Sequence, residues 1–127
     1  MSQIKDVDKN WSFINNLPYF KTKNIVDSIK NKFDQIGYTN YKIVQGDVLK
    51  TFELDYPQFC FASLDLNFYE PTVSAIKFME KHISPGGIII EDDYENIDGI
   101  TQAFNEQENI QIVNRFSPGA SFKFENN

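Results

Sequence analysis

The chain has 127 residues, 41% of them apolar and 15% aromatic, and a net charge of −6. That length allows one domain at most, with a core burying roughly two-thirds of the unfolded surface. The acidic balance, with no Lys/Arg cluster, excludes a nucleic-acid surface, and the aromatic content excludes a disordered chain except at its ends.

The first eight residues are polar and lack the apolar core of a signal peptide. The apolar runs are far too short to span a bilayer, so a cytoplasmic protein without a membrane partner is expected. Residues 1–20 read as irregular chain carrying Trp11, Phe13, Tyr19 and Phe20. Residues 22–36 carry Ile25, Val26, Ile29, Phe33 and Ile36 at helical spacing, with Thr22 or Lys23 as the start and Gly37 as a left-handed stop. Tyr41–Val44 reads as a short strand closed by Gly46-Asp47, with a turn or short helix over 48–52.

Phe59–Leu66 is a nearly continuous apolar strand, the pattern of burial on both faces of a parallel sheet. The lone Cys60 falls inside it and reads as a core residue. Glu70-Pro71 opens a helix that ends near His82, with Pro at an early position where its missing N–H costs nothing. Ser84-Pro85-Gly86-Gly87 is a turn and Ile88–Ile90 a second central strand, also expected to be buried between helices. A helix follows at 98–107. Residues 110–116 and 120–124 then flank Ser117-Pro118-Gly119 as an antiparallel hairpin. The expected fold is α/β, mostly parallel, with that hairpin at one edge.

Two strands joined through a helix cross over right-handed and lie parallel as neighbours. Their carboxyl ends, Asp65 and Asp92-Asp93, then stand side by side at the edge where open α/β sheets bind ligands. Three carboxylates gathered there repel one another unless a cation or a proton intervenes. Two readings stand: a Mg²⁺ site, or aspartates that cap the segments following each strand. Asn67 lies on the rim of the same cleft. Gly46-Asp47 would share the carboxyl edge and touch a ligand if its strand is parallel, although a turn and helix cap is the plainer reading. His82 sits at the wrong end of the sheet for a base. No G-x-G-x-x-G, Walker sequence, paired-Cys zinc spacing or Ser-His-Asp set is present.

The run Asp65–Thr72, followed by Pro85-Gly86-Gly87, an apolar strand and Asp92-Asp93-Tyr94, resembles the C-terminal part of the macrocin O-methyltransferase family. These are class I enzymes of Rossmann-like fold that use S-adenosylmethionine (SAM). The resemblance covers roughly residues 20–125. It implies that Asp65, Asp92 and Asp93 hold Mg²⁺, which orients the hydroxyls of a small-molecule acceptor such as a sugar or polyol. It also implies a catalytic role at Asn67, where members with Asp have a general base; Asn cannot take a proton at neutral pH.

Nothing upstream of residue 40 matches the family's Gly-containing SAM loop or its acidic ribose contact. The expected domain over 1–127 therefore lacks the first two strands, and only Gly46 and Asp47 remain as cofactor contacts. Strand 41–45 must then pair with 59–66 or leave an unmatched edge. On this reading the chain is a SAM-dependent, Mg²⁺-assisted O-methyltransferase-like protein. The alternatives are a non-catalytic binding module that keeps the acidic cleft, half of a split enzyme, or a different metal-dependent enzyme. A homodimer or a complementing polypeptide is the expected macromolecular partner.

Overall fold

A computed structural model of the chain describes residues 5–16 and 24–125. The proposed helix start at Thr22 or Lys23, and Tyr19 and Phe20, lie outside those residues. Asp6–Asn16, expected to be irregular, winds as a 3-10 helix.

Helix α1 (Ile25–Gln35) follows from the apolar spacing. Gly37 adopts φ 69°, and Tyr38 N–H reaches back to the Phe33 carbonyl at 2.9 Å, a left-handed stop that satisfies an orphan carbonyl. None of its residues is buried. Within its own neighbourhood, the Phe33 and Tyr41 ring centroids are 4.4 Å apart.

Residues 41–45 do not form the expected strand. A short strand needs a neighbouring edge to supply its hydrogen bonds, and no β-partner reaches this one among the described residues. Helix α2 (Val48–Thr51) comes next, and Asp47 caps it by accepting from Leu49 N–H at 3.1 Å.

Four strands follow: β1 (Phe59–Leu64), β2 (Ile83–Glu91), β3 (Ile110–Arg115) and β4 (Ala120–Phe124). They form one mixed sheet in the order β1-β2-β4-β3. Helix α3 (Tyr69–His82) joins β1 to β2 as a crossover, and the two strands are parallel, with Leu64 opposite Glu91. Helix α4 (Asp98–Asn105) leads to the antiparallel β3–β4 hairpin, which sits against β2 through β4. Among the described residues the only parallel pair is β1–β2, so the expectation of a mostly parallel sheet is corrected. The Pro85-Gly86 turn is present but embedded within β2. Pairing jumps from Phe59↔Ile83 to Phe61↔Ile88, and the extra residues bulge out around Gly86 at φ 76°.

The two helices α3 and α4 pack against each other, and so cover the same face of the sheet. Ala75, Ile76 and Met79 of α3 and Ile100, Ala103 and Phe104 of α4 close over Ile89, Phe122 and Phe124. Alternation puts Phe61, Ser63, Ile88 and Ile90 on the opposite face. There Phe61 is 54% exposed and the two isoleucines are half-buried. Burial on both faces, expected for Phe59–Leu64 and Ile88–Ile90, is therefore corrected: among the described residues one face is covered. Cys60 is exposed because β1 is an edge strand, not a central one.

Candidate acidic site at the sheet edge

The β1–β2 register places the cluster. Leu64 pairs with Glu91, so the next residues, Asp65 and Asp92, leave the sheet side by side. One carboxylate oxygen from each of Asp65, Asp92 and Asp93 lies within 4.8 Å of the others. Neither helix that follows is capped by them. Phe68 and Ile97 occupy the N-cap positions of α3 and α4 and make no side-chain cap. The Asp93 carbonyl instead accepts from Asn96 and Ile97 N–H at 3.0 and 3.1 Å, turning the chain into α4.

Electrostatics mark the cluster. Partial burial pushes the Asp93 carboxyl up, and the charges of Asp92 and Asp65 push it further, against a hydrogen bond from Asn96. Beneath it, Glu91 is fully buried. Burial raises its carboxyl to about 8, with the charges of Asp92 and Asp93 adding to the rise while a hydrogen bond from Asp93 N–H opposes it. Its Oε2 has no partner.

The donor set suits Mg²⁺. It is a hard cation that takes carboxylate oxygens, and three such oxygens lie within 4.8 Å of one another here. Asp65, Asp92 and Asp93 would hold such an ion; Asp65 and Asp92 are exposed and Asp93 is half-buried. The residues present do not suit SAM in the same way. Gly46 and Asp47 do not end a strand, and the Asp47 carboxylate is committed to Leu49. No Gly-rich strand-to-helix loop stands at this edge among the described residues.

Asn67 lies half-buried in the loop between Asp65 and α3, beside the cluster in sequence. His82 is remote, as expected from its place on α3. Its Nδ1 is 2.9 Å from the Phe78 carbonyl and its ring stacks on Phe78. A groove lined by Phe52, Lys77, Phe78, Lys81 and His82 also lies at that end of α3, away from the aspartates.

Two residues escaped the sequence reading. Glu91 shares the inward phase of Ile89 along β2, so strict alternation would have marked it as a core carboxylate. Asp8 accepts from Tyr69 N–H at 3.0 and 3.1 Å and is fully buried, which pushes its carboxyl up despite that bond. Its only sequence signal is negative: neither α3 nor α4 has a polar residue at its N-cap position.

A model of the macrocin-O-methyltransferase (TylF) family matches residues 22–115, most of the chain. The chain belongs to the macrocin-O-methyltransferase family. Membership places it among O-methyltransferases, enzymes that in general use SAM. The matched span of this family member takes in both β1 and β2, and so all three aspartates. No curated protein matches the chain. No helix among the described residues is long and apolar enough to cross a membrane.

Replacing Asp92 with Asn should leave stability in chelator unchanged, or raise it by up to about 1 kcal/mol, because it removes one of several crowded charges. Urea denaturation checks this. A clear loss of stability would return Asp92 to a structural role.

Proposed function

We propose that this member of the family serves Mg²⁺-assisted O-methylation of a sugar or polyol hydroxyl, with the acidic edge as the acceptor-binding side. The observation that carries this reading is the convergence of three carboxylates from two neighbouring strand ends. In this reading Asp65, Asp92 and Asp93 hold the ion. Bound there, Mg²⁺ supplies charge that lowers the pKa of an oxygen ligand and fixes its direction. Asn67 is neutral and cannot take the acceptor's proton; its amide is suited to orienting a hydroxyl on the rim. The sheet is read as a reduced Rossmann-like arrangement in a single domain.

No step is assigned to SAM, because the described residues form no cradle for it. The outer edge of β1, unpaired among the described residues, and the exposed Phe61 favour a second reading, in which a complementing polypeptide or a second copy completes the enzyme.

Two titrations test the proposal. Mn²⁺ serves as a paramagnetic stand-in for Mg²⁺. With the Mn²⁺-loaded chain, proton signals of a hexose beside vicinal hydroxyls should broaden selectively, and Asp65→Asn should abolish the effect. Mn²⁺ binding without sugar broadening would sink the sugar-acceptor reading. In calorimetry the chain alone should not bind SAM with a low-micromolar Kd. Such binding would reveal a donor site and overturn the second reading.

A further inference from the structure

The acidic cluster is assembled from two loops. Asp65 leads through Asn67 and Phe68 into α3, and Asp92-Asp93 lead through a turn into α4. Something must hold the starts of these helices at a fixed separation if the aspartates are to stay together. The first N–H groups of a helix have no internal partner and take one from outside the helix. Neither helix is capped from its own sequence.

The N-terminal 3-10 helix supplies an acceptor at the start of α3. Both carboxylate oxygens of Asp8 face Tyr69 N–H, the first residue of α3, across 61 positions of sequence. The same carboxylate is pressed against Gly99 in the first turn of α4. A Cβ placed on Gly99 would lie 1.9 Å from Asp8 Oδ1 and 3.0 Å from Tyr69 N. Asp8, the start of α3 and the start of α4 therefore meet at one point, with room only for glycine. Trp11, half-buried on the core one turn along, anchors the same segment.

We propose that Asp8 is a positioning residue for the cation site: it ties the loop bearing Asp65 to the loop bearing Asp92 and Asp93. The inference rests on the reading of those three aspartates as a cation site. Its consequence is that docking of the 3-10 helix and binding of the ion are coupled. By linkage the coupling runs both ways, so the ion should hold the 3-10 helix down as firmly as the 3-10 helix holds the site together.

The test measures Mn²⁺ affinity by the electron paramagnetic resonance signal of the free ion. Wild type, Asp8→Ala, Asp8→Asn and Gly99→Ala are compared well below the melting transition of each. Asp8→Ala should weaken Mn²⁺ about tenfold, the scale set by groups that orient metal ligands. Gly99→Ala should do the same by expelling the carboxylate, and Asp8→Asn, which keeps one accepting oxygen, should fall between. In the wild type, with no substitution at all, Mn²⁺ should slow hydrogen exchange at the Tyr69 amide.

Wild-type affinity in a folded Asp8→Ala or Gly99→Ala chain would overturn the inference and leave Asp8 a cap for stability alone, with the cation site intact. Exchange at Tyr69 that ignores Mn²⁺ would overturn it too, whether or not the variants fold. A wild type that does not bind Mn²⁺ would overturn the cation site and the coupling together.

Discussion

In chelator, the stability of the wild type should fall by on the order of 4 kcal/mol as pH rises from 4.5 to about 8, and Glu91→Gln should abolish most of that fall. The sign follows from proton counts. An unfolded glutamate titrates near 4.5, whereas the buried one holds its proton to about 8. Between those values the folded state carries the extra proton, so raising pH favours unfolding. The stabilisation is complete below the lower value and lost on passing the higher one. Asp93 and Asp8 are raised as well and add slope in the same direction from 3.8 upward. A glutamine at 91 keeps the volume and removes the titration. The variant should match the wild type near pH 4.5 and exceed it clearly at pH 8 in urea denaturation. Parallel profiles would show that Glu91 titrates normally and that its burial is relieved in solution.

Gly119→Ala should cost about 3 kcal/mol or more, and should loosen the hairpin from β2. Gly119 is buried where the hairpin turn crosses the end of β2. A Cβ there would lie 2.1 Å from the Glu91 carbonyl oxygen and 2.7 Å from Asp92 Cα. Both are backbone atoms, so no side chain can rotate to make room. The strain falls at the strand end that carries the acidic cluster, and Asn96, which donates to the Pro118 carbonyl at 3.1 Å, sits on the same seam. The measurement is the urea midpoint, with amide exchange at Ser121 and Phe122 reporting the β2–β4 ladder. A midpoint within experimental error of the wild type would show that the hairpin tip shifts freely.

The meeting of the three aspartates was readable in the sequence because it depends on local rules. A strand, a helix and a strand fix a parallel pair, and parallel pairing puts Asp65 level with Asp92. The hairpin and the boundaries of α3 followed from turn residues and from Pro71 in the same local way. What could not be read depended on distant partners. The apolar run of β1 has the pattern of a doubly buried strand, but burial also needs a helix on each side, and α3 and α4 share one face. The amphipathic stripe of α1 suggested a cover, yet none of its residues is buried. Tyr41–Val44 alternates like a strand, and no edge reaches it among the described residues. Asp8 acts across 61 residues, a separation at which no periodicity carries information. Gly46-Asp47 could be read either as a ligand contact or as a turn with a cap, and the cap at α2 is what the hydrogen bond displays.

On the proposed function, Asp65, Asp92 and Asp93 together hold one divalent cation. Titration of the purified chain with Mn²⁺, followed by the resonance of the free ion, tests it most directly. One saturable site per chain is expected, displaced by Mg²⁺ and lost when Asp65 and Asp92 are both changed to Asn. Binding that survives the double substitution, or no saturable binding in the wild type at millimolar Mn²⁺, would contradict it.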